Sequence, residues 1–131
     1  MDDWQDAVKI VRGRDLDAIR HGPEGGRATV FDFAGIGGGG GRTWIGAVSM
    51  APGAFVAPHH HGRHEVAITI TKGTMEIRWG SAMEYAALLE PGDCAYFAPG
   101  VPHQERNPSA TDPVDFIALR SDDERIAVKL G

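Results

Sequence analysis

Hydrophobic and polar residues alternate along most of this chain, and turn residues interrupt the alternation at short intervals. The alternation is clear over residues 65–71, 74–79 and 114–120, and pairs such as Pro52-Gly53 and Pro91-Gly92 separate neighbouring runs. A period of two is typical of β-strands with one buried face, and Gly-Pro punctuation marks the turns between them. Many short strands at regular spacing predict an all-β sandwich or barrel.

The turn residues divide the chain into eleven predicted strands and leave room for one helical turn. The helical turn falls within 14–20, where Leu16 and Ile19 are three residues apart. The strands are predicted at 8–11, 27–33, 43–50, 54–61, 65–71, 74–79, 85–89, 94–98, 101–106, 114–120 and 125–130. Alternation within them predicts an interior that includes Trp44, Val48, Phe55, Ile68, Ile77, Phe97, Phe116 and Ile117.

The segment 58–65 contains four of the six histidines and one carboxylate. Side chains on one face of a strand recur every second residue, so His59 and His61 are expected to project together and His60 to the opposite face. His60 and His64 have the wrong phase for a shared site, which places them at the surface or rim. Glu65 opens the next predicted strand, from which it can add an oxygen ligand. Nitrogen and oxygen ligands together suit a borderline divalent ion.

Two stretches of the chain resemble the paired motifs of the cupin superfamily. From Gly53 to Gly73 the chain reads Gly-x5-His-x-His-x3-Glu-x7-Gly, which resembles the first motif but ends one residue late. The second motif is matched by Gly92-Asp93, Pro99-Gly100, His103 and Asn107, with Pro99-Gly100 standing where the family usually has Pro-x-Gly.

The resemblance implies an all-β fold, a double-stranded β-helix or jelly-roll-like barrel, formed by a single cupin domain over residues 1–131. The motifs then occupy 53–73 and 92–107. Carried over residue by residue, the resemblance implies His59, His61, Glu65 and His103 as ligands of one divalent transition metal. Imidazole and carboxylate ligands suit Fe, Mn, Ni, Co and Zn, so the ligand set leaves the identity of the metal open.

A few further polar residues are candidates for the site. Glu105 lies two residues after His103, so a regular strand returns it to the metal face, where it can move a proton or orient an imidazole. The alternative is a solvated carboxylate near a strand end. Tyr96 and Arg78 are candidates for the mouth of the pocket and Phe55 for its lining. Cys94 is expected to be a small buried hydrophobe.

Composition narrows the partners and the compartment. The 131 residues carry a net charge of −5 without a basic run, which argues against nucleic acid as a partner. The longest uncharged run is shorter than the roughly 20 apolar residues of a membrane span. One cysteine and an acidic N-terminus favour a cytoplasmic protein. Edge strands of a small barrel need covering, so we expect a homodimer joined through residues 8–11.

Two function classes are compatible with these features. In the first, the protein is a metal-dependent enzyme, of dioxygenase, isomerase or lyase type, that acts on a small oxygen-rich molecule. In the second, the barrel binds or senses a small molecule without turnover. The cupin resemblance favours neither reaction type, because one fold supports many chemistries.

Overall fold

A computed structural model of the protein describes residues 44–120 without interruption, together with residues 18–21, 28–32 and 128–129 and positions 5, 10 and 12. Most of the predicted strand 8–11, which is the expected seam of the homodimer, lies outside the described residues. No helix within these ranges is long and apolar enough to cross a membrane.

The described residues form eleven strands and no α-helix. The strands are β1 (Ala18–His21), β2 (Ala28–Asp32), β3 (Trp44–Met50), β4 (Phe55–His60), β5 (Val66–Lys72), β6 (Met75–Trp79), β7 (Tyr85–Leu89), β8 (Cys94–Phe97), β9 (His103–Arg106), β10 (Val114–Arg120) and β11 (Val128–Lys129). The all-β class predicted from the alternation is confirmed.

The strands form two antiparallel sheets in a jelly-roll arrangement. One sheet has six strands in the order β1-β2-β3-β10-β5-β8, and the other has five in the order β11-β4-β9-β6-β7. Several neighbours in the sheets are distant in sequence, as in β4 with β9 and β3 with β10. These crossovers bring the two ends of the 53–107 region together, and the candidate site depends on them.

The helical turn predicted within 14–20 is wrong over its last three residues. Ala18 to Arg20 belong to β1, which pairs antiparallel with β2 from Ala18 opposite Phe31 to His21 opposite Ala28. Inter-strand hydrogen bonds outweigh the weak local preference that Leu16 and Ile19 provide. The earlier part of the predicted turn lies outside the described residues.

The core lies between the inner faces of the two sheets. In β5 every second side chain is buried up to Ile70, and in β10 up to Ala118, as the period of two predicts. Of the predicted interior residues, the buried ones are Val48, Ile68, Ile77, Phe97 and Phe116. Ile117 was predicted to be interior as well, but it follows Phe116 and takes the opposite face, where it is half-buried. The side chain of Trp44 is outside the described part.

Asn107 ties the end of β9 to two other segments. Its side chain is 1% exposed, and its Nδ2 lies 3.2 Å from the Met50 carbonyl, 3.1 Å from that of Ala51 and 2.8 Å from that of Asp112. Its Oδ1 accepts a hydrogen bond from the Ser109 N–H. One buried amide thus links the end of β3, the loop after it and the loop before β10, which fixes the turn after the site.

We expect Gly73→Ala to destabilise the fold more than Gly53→Ala, as measured by urea unfolding. Both glycines have positive φ, +73° for Gly53 and +82° for Gly73, so each alanine pays about 1–2 kcal/mol of backbone strain. A Cβ at Gly73 would also lie 2.5 Å from the Pro113 carbonyl oxygen, whereas one at Gly53 would meet nothing within 4 Å. Relieving that overlap adds roughly 1–3 kcal/mol. Equal losses in the two variants would contradict this packing argument.

Candidate metal centre

Three buried histidines converge where β4 pairs with β9. His59 lies opposite His103, and His61 follows β4 by one residue. Ring centroids are 4.3 Å apart for His59 and His103, 4.8 Å for His59 and His61, and 5.1 Å for His61 and His103. Each ring offers one nitrogen, and the three nitrogens lie within 4.8 Å of one another. The side chains are between 0% and 8% exposed.

Main-chain carbonyls hold two of these rings in one orientation. His59 Nδ1 lies 2.8 Å from the Ala57 carbonyl oxygen, and His103 Nδ1 lies 3.0 Å from that of Val101. A carbonyl oxygen only accepts, so Nδ1 must donate in both rings, and each neutral ring keeps its lone pair on Nε2. The buried Nε2 of His103 faces the Glu105 carboxylate at 3.3 Å. An available Nε2 lone pair with an anchored Nδ1–H fits a divalent metal ion.

The pairing of β4 with β9 contains a β-bulge that changes the face of the early β4 residues. Val56 is opposite Glu105, but the next recorded pair is His59 with His103, so β4 has one extra residue. Val56 therefore packs against the core, while Phe55 pairs with the exposed Arg106 and remains only half-buried. The expectation that Phe55 lines the pocket is wrong, because it assumed a strand without the bulge.

Glu105 shares the inward face of β9 with His103. The strand alternates buried and more exposed residues, and Glu105 is 9% exposed. Its Oε1 lies 3.3 Å from His103 Nε2, an ion-pair distance. Its cross-strand neighbours are Val56 and Ile77, both apolar. The alternative of a solvated carboxylate is therefore excluded.

The charges of the site act on one another. Burial would raise the pKa of Glu105, but the imidazoles of His103, His59 and His61 outweigh it and hold the pKa below its usual range. Burial lowers the pKa of His59, and His103 adds to that effect. Burial also tends to lower the pKa of His103, yet the Glu105 carboxylate raises it above the ordinary value. The site thus holds a carboxylate among imidazoles.

Glu65 lies apart from the three histidines. Val66, Ile68 and Ile70 are the buried residues of β5, so Glu65 has the opposite parity and is exposed. Its Oε2 accepts a hydrogen bond of 2.7 Å from the Tyr96 hydroxyl. The expectation that Glu65 joins the ligands therefore does not match its position. The inward position beside it belongs to Val66, one residue later.

Tyr96 and Arg78, expected at the mouth of the pocket, also face outward. Tyr96 is 59% exposed, and its hydrogen bond to Glu65 raises the pKa of the phenol. Arg78 lies on the outer face of β6, where its Nε is 3.2 Å from Glu76 Oε1. Side chains alternate along each strand, so Tyr96 points away from the face of the buried Phe97, and Arg78 points away from the face of the buried Ile77.

The burial of His64 and Cys94 differs from what the sequence predicted. His60 is half-buried, and its Nδ1 accepts a hydrogen bond from Gly62 N–H at 3.0 Å. His64 is 2% exposed, which corrects its placement at the surface, because it shares the inward parity of Val66. It is not part of the group of converging nitrogens found among the described residues. Cys94 is exposed rather than buried, since it begins β8 on the outer parity.

Arg120 is a residue near the site that the sequence interpretation missed. It ends β10 on the parity of the buried residues Phe116 and Ala118 and is itself half-buried. Its charge contributes to lowering the pKa of His59, and Glu105 acts on Arg120 in turn. Burial is the main cause that lowers the pKa of Arg120. The signal was available in the sequence, because the alternation in 114–120 continues to Arg120.

Solved structures with a similar fold include three proteins of different activity. The polyketide cyclase RemF from Streptomyces resistomycificus has a TM-score of 0.76 at 20% identity, covering 95% of this chain and 86% of its own. A sugar phosphate isomerase from Silicibacter pomeroyi, described as a cupin, has a TM-score of 0.67 at 20% identity. The match covers 86% of this chain and 74% of the isomerase chain. An oxalate oxidase has a TM-score of 0.69 at 22% identity over 82% of this chain.

This chain spans 56% of the oxalate oxidase chain. No curated protein matches the sequence significantly. The family described as the cupin domain matches residues 46–120, which is more than half of the chain and includes both β4 and β9. The matched region contains all three converging histidines. With the two antiparallel sheets, this match shows that the chain belongs to the cupin domain family.

Proposed function

We propose that the protein is a metal-dependent cupin enzyme that acts on a small oxygen-rich molecule. The observation that carries the proposal is the convergence of three buried imidazole nitrogens, two of them on rings anchored through Nδ1. His59, His61 and His103 would hold one divalent transition metal ion, for which Fe, Mn, Ni, Co and Zn are the candidates. When bound, the ion would polarise a substrate oxygen or, as Fe(II), activate dioxygen.

The protein residues around the histidines would bind the substrate and exclude water. Phe97 stacks on His103 at a centroid distance of 4.1 Å and covers one face of that ring. Arg120 presents a guanidinium on the inner face of β10, where it would bind an anionic oxygen of the substrate. We therefore propose a substrate with a carboxylate or similar anionic group next to the oxygen that meets the ion.

The structural neighbours support a small-molecule substrate and leave the reaction type open. They are named as an oxalate oxidase, a polyketide cyclase and a sugar phosphate isomerase, which are three different reactions on oxygen-rich compounds. Because one fold supports many chemistries, the reaction must be identified by assay. The dioxygenase, isomerase and lyase types remain the candidates.

We also propose a homodimer, on the argument that the edge strands of a small barrel need covering. In the described part of the chain, β8 and β7 each end a sheet. The proposed seam at 8–11 lies outside the described residues apart from Ile10, which is 69% exposed. A cytoplasmic location is retained as a prediction.

We expect protein prepared without a histidine tag to bind about one divalent ion per chain. His61→Ala and His103→Ala each remove one converging nitrogen, so both should lose the ion on dialysis, as measured by elemental analysis. His60→Ala is the matched control, since its ring lies outside the cluster, and it should keep the wild-type metal content. Full metal occupancy in the His61→Ala/His103→Ala double variant would contradict the assignment.

Turnover should require the metal and should be selective for anionic substrates. The test is oxygen uptake and product formation with keto acids, diketones, catechols and sugar phosphates, before and after metal removal. We expect Arg120→Met to lower kcat/KM for an anionic substrate by about 10-fold or more, because a hydrogen bond to a charged group contributes about 1.5–3 kcal/mol. The same variant should leave a neutral analogue nearly unaffected. No turnover with any of the candidate metals would favour a non-catalytic binding or sensing module.

A further inference from the structure

Glu105 is the carboxylate that lies on the inner face beside His103, whereas Glu65 lies on the outer face. Alternation along β9 places His103 and Glu105 on the same inner face. Pairing with β4 and β6 places Glu105 between Val56 and Ile77, one pair further along the inner face than His59 and His103. We propose that Glu105 is the fourth protein ligand of the metal ion, in the role that the first motif would give to Glu65.

The separation of the two side chains matches that of two ligands of one ion. Ligand nitrogens and oxygens lie about 2.0–2.2 Å from a zinc ion, so two ligands at a tetrahedral angle are about 3.4 Å apart. Glu105 Oε1 is 3.3 Å from His103 Nε2.

The surroundings of Glu105 favour a positive charge beside it. The carboxylate is 9% exposed and has apolar cross-strand neighbours, so its charge is costly to bury without compensation. The neutral rings of His59 and His103 carry their proton on Nδ1, so Nε2 of each is unprotonated. The Arg120 guanidinium and, when protonated, the His103 ring also interact with Glu105. A divalent ion between the imidazoles and the carboxylate would neutralise the charge where it is buried.

Glu65, unlike Glu105, is exposed and lies on the outer face. Its carboxylate is exposed and accepts the hydrogen bond from the Tyr96 hydroxyl, on the outer face of the sheet. For Glu65 to reach the histidines, β5 would have to shift by one residue, which would turn Val66, Ile68 and Ile70 out of the core. The loss of three buried hydrophobic side chains makes that shift too costly to be offset by one ligand.

This inference rests on the proposed metal site and is tested with Zn(II) as the probe. Glu105→Gln and its matched control Glu65→Gln each replace one carboxylate by an amide of the same size. We expect Glu105→Gln to raise the Kd for zinc, measured by competition with a chromogenic chelator, by about 10-fold or more, and Glu65→Gln to leave it within about 2-fold. Thermal unfolding of the metal-free variants checks that both fold.

A zinc-loaded crystal structure of the wild-type protein separates a ligand from a positioning residue and does not depend on the variant's folding. A Glu105 oxygen at about 2.0–2.2 Å from the ion is the expected result. A Glu105 oxygen beyond 3 Å would overturn the assignment, even if Glu105→Gln weakens binding, because a residue acting through His103 has the same effect on affinity. Zinc loss in Glu65→Gln alone would also overturn it. If the wild-type protein binds no zinc or other candidate metal, the proposed function itself fails.

Discussion

The pairing of β4 with β9 is the constraint on which the candidate site depends. It joins two segments that are far apart in sequence and sets His59 directly opposite His103. The β-bulge in β4 then determines which earlier side chains reach the same face, so that Val56 rather than Phe55 stands opposite Glu105. A one-residue slip in this register would exchange the inner and outer side chains and disperse the cluster.

The fold also sets the chemical state of the site. Backbone carbonyls next to two of the histidines fix their tautomers, and burial keeps the rings out of water. Burial and tautomer act together, because a desolvated neutral imidazole with an anchored Nδ1–H presents its Nε2 lone pair to an ion. The Glu105 carboxylate adds negative charge to that arrangement. These features suit a cation site, and Arg120 lies near it.

Most of the fold and part of the site could be predicted from the sequence. Period-two alternation and turn residues were sufficient for the all-β class, and the His-x-His spacing was sufficient to place His59 and His61 together. Their meeting with His103 depended on long-range pairing, which the family resemblance supplied. The helical turn near Ala18 failed because a neighbouring strand overrode local propensity.

The wrong predictions within the site come from one-residue errors in assigning side chains to the inner or the outer face of a strand. The first motif ends one residue late, and that displacement was the signal that Glu65 has the outer parity, with Val66 inside. His64 was misplaced for the same reason. Phe55 was misplaced by a bulge, for which the sequence offered only Pro58, a residue that sheets tolerate at such irregularities. Arg120 was overlooked although it continued a clear alternation.

Nitrogen-15 NMR of the histidine rings during a zinc titration tests the metal centre most directly. The account predicts that the Nε2 resonances of His59, His61 and His103 shift together and saturate at about one equivalent. The Nδ1 positions of His59 and His103 should stay protonated throughout, and the resonances of His60 should stay unchanged. Unchanged Nε2 resonances for the three histidines, or shifts confined to His60, would contradict the account.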